Sequence, residues 1–237
     1  MKTIGLIGGM SFESTAVYYR MINEAVRERL GGLHSAEVLV HSVDFQSIVE
    51  LQKTGRWDAA GARLGAVAAG LEKAGADCVL ICTNTMHLVA DAVQAATKAT
   101  LLNIIDETAR EILAKSSRRP LLLATRYTME HDFYAKRMKA AGLDVMVPDE
   151  AGRTLMHDVI FNELCQGKVL DSSRDRVLAL IETARAEGAD SVILGCTEIC
   201  LLLDPDALAL PGFDSTAIHA RAAVDFALGS LPASMAA

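Results

Sequence analysis

No apolar run in this chain approaches the roughly 18 to 20 residues that cross a bilayer, so a membrane span is not expected. Positive charge is also scarce: 23 Lys and Arg stand against 30 Asp and Glu, a formal net charge of −7. Without a basic field, nucleic acid and anionic membrane surfaces are not expected partners. Cysteine is too sparse and too oddly numbered for a disulfide framework. The five, Cys78, Cys82, Cys165, Cys196 and Cys200, are expected as reduced thiols. Cys78 and Cys82 lie in a strand-like run where four residues cover about 13 Å, too far to share a metal. Cys196 and Cys200 have no His or Cys cluster beside them, so no metal is expected. The opening MKTIGLIGGM runs straight into glycines instead of a secretory core, and a cytoplasmic location is expected.

What is present is a chain of 237 residues, 51% apolar but only 5% aromatic, enough for one large domain or two small ones. Short apolar runs alternate with amphipathic stretches throughout, the pattern of β-α units on a parallel sheet. Strands are predicted at 3–8, 37–43, 78–82, 101–105, 120–124, 143–147 and 191–195. Helices are predicted at 15–30, 57–74, 87–97, 107–114, 130–141, 152–165, 174–187 and 217–228.

The chain repeats itself. GADCVLICTNT at 75–85 matches GADSVILGCTE at 188–198, IGLIGGMSFESTAVYY matches PLLLATRYTMEHDFY in plan, and Asp106-Glu107-Thr108-Ala109 matches Asp214-Ser215-Thr216-Ala217. Tyr18 and Phe133 fall at equivalent places in that alignment. Three pairs in one order indicate an internal duplication. The expected α/β fold therefore has two pseudo-symmetric half-domains, each a parallel sheet flanked by helices, with the active site in the cleft between them. The halves are drawn at 1–115 and 116–215, with a closing helix at 216–237 packing back on the first.

Aligning the two GAD segments sets Thr83 opposite Cys196, Asn84 opposite Thr197 and Thr85 opposite Glu198. All are first residues past a buried strand, where open parallel sheets bind ligands. Two similar groups on opposite walls suit the movement of a proton from one face of a carbon to the other, with helix-start NH groups and hydroxyls stabilising charge on a neighbouring carboxylate. GLIGGM lacks GxGxxG spacing, so no dinucleotide site is expected. Gly8 and Gly9 are read as a tight turn with close backbone approach.

IGLIGGMSFEST, CTNTMH, LGCTEI and DSTAIHA, spread over nearly the whole chain, resemble the cofactor-independent aspartate/glutamate racemase superfamily, its aspartate racemase branch above all. The resemblance implies two α/β half-domains and two cysteines exchanging a proton with the substrate α-carbon. It implies neither pyridoxal phosphate nor metal, and it suggests a homodimer acting on a small amino acid or dicarboxylate. Cys196 takes the second cysteine's place, as thiolate or thiol, its pKa lowered by a helix N-terminus. Thr83 stands where the first cysteine belongs, and Cys82, one residue earlier, points to the other face of its strand. Thr83 is thus expected to orient a water.

Asn84, Thr85 and Thr197 are read as carboxylate donors, or alternatively as helix caps. Glu198 is read as orienting Cys196 or a substrate ammonium, or as a first-turn acid. Met10, Ser11, Thr125 and Thr128 are expected to line the cleft. Gln46, Arg126 and Lys168 are candidates for a substrate side-chain carboxylate, because the family's arginine near the second strand is replaced by VDFQS. His87 and His219 are read as structural hydrogen-bonders before acids, and Asp214, Ser215 and Thr216 as supports. The leading function is a pyridoxal-phosphate-independent amino-acid racemase. The alternatives are a single-cysteine lyase or isomerase of a carboxylic acid, as in the related arylmalonate decarboxylases, and a non-catalytic amino-acid or dicarboxylate sensor.

Overall fold

The computed structural model describes residues 1–229. It divides into two units, Met1–Ile104 together with the chain from His219 onward, and Ile105–Ile218. The closing helix expected at 216–237 runs from Ser215 to Leu228, and residues 230–237 lie outside the described residues.

The first unit is built on four parallel strands, β1 (Ile4–Gly8), β2 (Val38–Ser42), β3 (Cys78–Ile81) and β4 (Thr100–Leu102), in the spatial order β2-β1-β3-β4. Strands β1 and β3 are buried from end to end, which is why they read as unbroken apolar runs. Their side chains still alternate. Ile7, Val79 and Ile81 enter one cluster with Leu64, Ala68 and Val93. Ile4, Leu6, Cys78 and Leu80 enter another with Tyr18, Ile22 and Val26, and with Ala220, Val224 and Ala227 of the closing helix.

The second unit has β5 (Pro120–Leu123), β6 (Ser191–Leu194) and β7 (Gly212–Asp214), parallel and in that order. The strand expected at 143–147 is reduced to one parallel bridge between Met146 and Leu121. Leu122 NH donates to Met146 O at 2.8 Å and Met146 NH to Pro120 O at 2.9 Å, on the edge of β5. Half-exposed Val147 and the donor-less Pro148 end the pairing there. Counting this bridge, both units share one strand order.

Other expectations shift at their edges. The strand at 101–105 ends at Leu102 because a helix, Ile104–Ala114, starts almost at once. The segment predicted as one helix over 152–165 is an α-helix at Glu150–Asp158, then a π-helical turn at Val159–Glu163 and a 3-10 turn at Leu164–Gln166. The helix expected at 130–141 is broken at His131 into Arg126–Glu130 and Asp132–Ala140. After that break Tyr134 is fully buried, whereas Phe133, matched to Tyr18 by position, is only partly so. Strand β7 and the helix Phe45–Lys53 were not anticipated, being short.

The duplicated GAD segments serve the scaffold. Gly75 and Gly188 take φ of +108° and +98° at helix ends, and the NH groups of Ala76 and Ala189 reach back to Leu71 O and Ala184 O at 3.0 and 2.8 Å. This is the Schellman closure that favours glycine. Asp77 Oδ2 accepts from Thr3 NH at 2.7 Å. Asp190 Oδ2 accepts from Arg118 NH and Arg119 NH at 2.6 and 2.9 Å. Each aspartate pins the start of the strand that comes first along the chain in its unit, and hydrogen bonding holds Asp190 below the usual carboxylate range against the opposing effect of burial.

Candidate active site

In the second unit, β6 delivers Gly195 and Cys196 to the loop beyond its carboxyl end. Gly195 suits the close packing there, since a Cβ would lie 3.0 Å from Ala124 Cβ and 3.1 Å from Leu123 O, tight enough to push its neighbours. The next three side chains form one network. Cys196 Sγ donates to Glu198 Oε2 at 2.8 Å, and Thr197 Oγ1 donates to the same oxygen at 2.6 Å.

That network corrects one expectation. Cys196 is not a thiolate stabilised by a helix N-terminus: the helix that follows, Ile199–Leu202, has only four residues. Burial first, and then the Glu198 charge and hydrogen bond, push the thiol well above its ordinary pKa. The thiolate is thereby disfavoured, and the sulfur stands in hydrogen-bond contact with Glu198 Oε2. Glu198 makes no side-chain cap bond, so its contact is with the sulfur and the Thr197 hydroxyl.

In the first unit, the equivalent loop presents Thr83, Asn84 and Thr85 past the strand end, with no acid among them. Thr83 is partly exposed, and its carbonyl accepts from His87 Nδ1 at 2.8 Å. His87 Nε2 accepts from Ile104 NH at 3.2 Å. Both ring nitrogens are thereby used in bracing backbone, in a neutral tautomer. Asn84 and Thr85 are buried at the start of the 3-10 turn Thr85–Val89, and the Asn84 side chain does not cap it. Cys82, the first residue past β3, is buried, and desolvation raises its thiol pKa, so it is inert as a base.

His219 is braced in the opposite tautomer. Its Nε2 donates to Leu102 O and its Nδ1 accepts from the Tyr18 hydroxyl, both at 2.8 Å. Burial, with the neighbouring His87 next in effect, lowers its pKa to about 3. It stays neutral at ordinary pH and supports the sheet.

The remaining candidates divide by place. Gly9, at φ +84°, lets the backbone pass where a Cβ would lie 2.1 Å from Val43 O. Gly9 NH donates to Thr15 Oγ1 at 2.8 Å, and Thr15 Oγ1 donates to Ser11 O at 2.8 Å. Ser11 Oγ caps the helix Phe12–Leu30 by accepting from Ser14 NH at 3.2 Å. Met10 is buried in the cluster with Ile7, Val43 and Met86. Thr125 and Thr128 are buried past β5 with hydroxyls 3.2 Å apart. Gln46 and Lys168 are exposed, and each bonds a near neighbour, Glu50 at 3.2 Å and Gln166 at 3.0 Å. Ser215 Oγ donates to Leu194 O at 2.9 Å, and Asp214 Oδ1 accepts from Thr216 NH at 2.8 Å, so both support the end of β6 and the closing helix.

Sequence reasoning did not find the cluster of Arg126, Tyr127, His131 and His157. Only Arg126 was singled out, and nothing in the spacing of His131 and His157 draws them together. The turn at His131 and the helix Glu150–Asp158 do so.

A family model described as Asp/Glu/hydantoin racemase matches residues 7–223. The crystal structure of an Asp/Glu racemase candidate from Yersinia pestis is 47% identical, covering 96% of this chain and 100% of that one, with a TM-score of 0.92. An aspartate racemase homologue from Pyrococcus horikoshii OT3 is 37% identical over 96% of this chain and 99% of that one, with a TM-score of 0.86. The broad specificity amino-acid racemase RacX of Bacillus subtilis (strain 168) is 28% identical over 157 residues, 65% of this chain and 66% of that protein. The chain belongs to the Asp/Glu/hydantoin racemase family.

Proposed function

We propose that this protein is an amino-acid racemase of the aspartate/glutamate type that works without pyridoxal phosphate, by 1,1-proton transfer at Cα. The observation that carries the reading is the Cys196–Glu198 contact of 2.8 Å just past β6. In the resting state Glu198 keeps the thiol protonated. A substrate ammonium beside Glu198 offsets the negative charge near sulfur, and the thiol proton passes to Glu198 Oε2. The thiolate then takes the α-proton from one face of the substrate. In the reverse direction the Cys196 thiol returns a proton to the planar carbanion, and Glu198 restores the sulfur proton.

Thr83 serves the other face by orienting a water, since its own hydroxyl has no accessible anion. Asn84, Thr85 and Thr197 bind the α-carboxylate, with Ser11, Thr125 and Thr128 near it. Family membership and the amino-acid racemase among the relatives support this reading. One observation favours a second: with Thr83 in place of a thiol and Cys82 buried, a single reactive cysteine remains at these two loops, as a one-sided lyase would need.

The test is incubation in D2O with L- and D-aspartate, glutamate and a panel of neutral amino acids. α-Deuterium is read by NMR and enantiomer ratio by chiral chromatography, with Cys196→Ala in parallel. Exchange with inversion, lost in the variant, is expected. Exchange that survives Cys196→Ala would remove Cys196 from the mechanism, and no exchange with any substrate would leave the lyase or a ligand sensor.

A further inference from the structure

The second unit holds a cavity of about 470 Å³ lined by Arg126, Tyr127, Glu130, His131 and His157. That is within the size range of small-molecule sites. Its charge is the Arg126 guanidinium. Nη2 donates to Thr154 Oγ1 at 2.9 Å, but Nε is buried with no hydrogen-bond partner, and among the described residues no carboxylate pairs with Arg126. Glu130, the one acid in the wall, accepts from Arg153 Nε at 3.1 Å, so its charge is already matched.

The rest of the wall is planar and polar. Tyr127 and His131 stack with ring planes 8° apart, and His157 meets Tyr127 edge-on with centroids 6.4 Å apart. His157 Nδ1 is buried without a hydrogen-bond partner. The Arg126 side chain is half-buried, its Nε fully so, and with no carboxylate paired to it among the described residues the planar fork keeps donor capacity that matches the two oxygens of a carboxylate. Arg126 also directly follows Thr125, at the carboxyl end of β5 where ligands of parallel sheets bind.

We propose that this cavity binds a carboxylate, held by Arg126 with His157 as the second donor. The carboxylate has two possible sources, the side chain of a dicarboxylic amino-acid substrate or a separate small organic acid. The first source rests on the racemase reading. The affinity of the cavity for a carboxylate does not.

The test is titration of the full-length protein with succinate, followed through the imidazole signals in 1H–15N spectra. Six histidines per chain keep the spectrum tractable. Succinate is expected to shift the His131 and His157 signals while the exposed His34 and His41 stay put. The anion should also raise the His157 titration midpoint, which burial and the Arg126 charge now hold down. Arg126→Gln, which keeps a donor for Thr154, is expected to weaken succinate about tenfold or more without changing the thermal melt, and Arg126→Lys to recover part of the loss. Unmoved His131 and His157 signals at high millimolar succinate would overturn the proposal, as would equal affinity in Arg126→Gln. Competition between succinate and a racemised amino acid, abolished in that variant, assigns the site to the substrate side chain; shifts without competition assign it to a separate acid. If the racemase reading alone fails, α-proton exchange is absent while the succinate shifts persist.

Discussion

The loops after β3 and β6 occupy the same place in two copies of one plan, yet they end in different chemistry. Past β3 stand a hydroxyl and backbone bonds locked by His87, with no acid and no reachable thiol. Past β6 stand a thiol and a carboxylate in direct contact. The framework beneath them has hardly diverged: the same left-handed glycine, the same aspartate on the first strand, the same strand order. Backbone closure tolerates few alternatives, because a buried NH must find a partner. A side chain at a strand tip is under no such constraint, and there the two copies have separated.

Removing the sulfur should break this contrast most sharply. Cys196→Ala is expected to lower α-proton exchange by about 10²- to 10⁴-fold, the usual weight of a positioned acid or base, in the NMR exchange assay. The duplicated aspartates offer the next largest effect. Asp190→Ala loses bonds to Arg118 NH, Arg119 NH and the Ser117 and Ser191 hydroxyls, whereas Asp77→Ala loses the bond to Thr3 NH. Urea unfolding should give about 2 to 3 kcal/mol for the former and about 1 for the latter; equal losses would refute an unequal anchoring role.

The buried tyrosines differ as well. Tyr18 donates to His219, while the Tyr134 hydroxyl lies beside the Thr108 side chain and burial pushes its pKa up. His219 has a folded pKa of about 3 against 6.5 for the free side chain, so the unfolded chain binds its proton first. Above pH 6.5 this has no effect on stability; as pH falls from there toward 3, stability is lost at about 1.4 kcal/mol per pH unit. His219→Gln should flatten that acid limb in denaturation curves taken between pH 7 and 5, whatever it does to stability at pH 7. An unchanged slope would show that His219 does not carry it. The smallest effect is expected from making the two loops alike. Thr83→Cys should raise exchange from the slower enantiomer about tenfold and bring the two exchange rates closer together. An unaltered ratio would mean that Thr83 does not face the substrate.

How far the sequence could be read depends on the range of the forces involved. The long strands were visible because burial on both faces writes an unbroken apolar run. β7 was not, since three residues with one glycine carry no periodicity. Phe133 was matched to Tyr18 by counting, but the break at His131 turned the helix and put Tyr134 inside. Cys196 and Glu198 were legible as neighbours of a strand end. The protonation of the thiol was not, because it depends on desolvation and on which oxygen the sulfur meets.

By itself, then, the sequence determined the α/β class, the duplication, and the residues that stand at the strand tips, since all of these follow from local periodicity and the repeated motif. Only the tertiary structure decided that His87 and His219 are neutral braces of opposite tautomer, and that the Cys196 thiol meets Glu198 directly. Each of those depends on the burial of a group and on partners brought to it by folding, several of them remote in the chain. Burial and hydrogen-bond geometry set the charge a side chain carries.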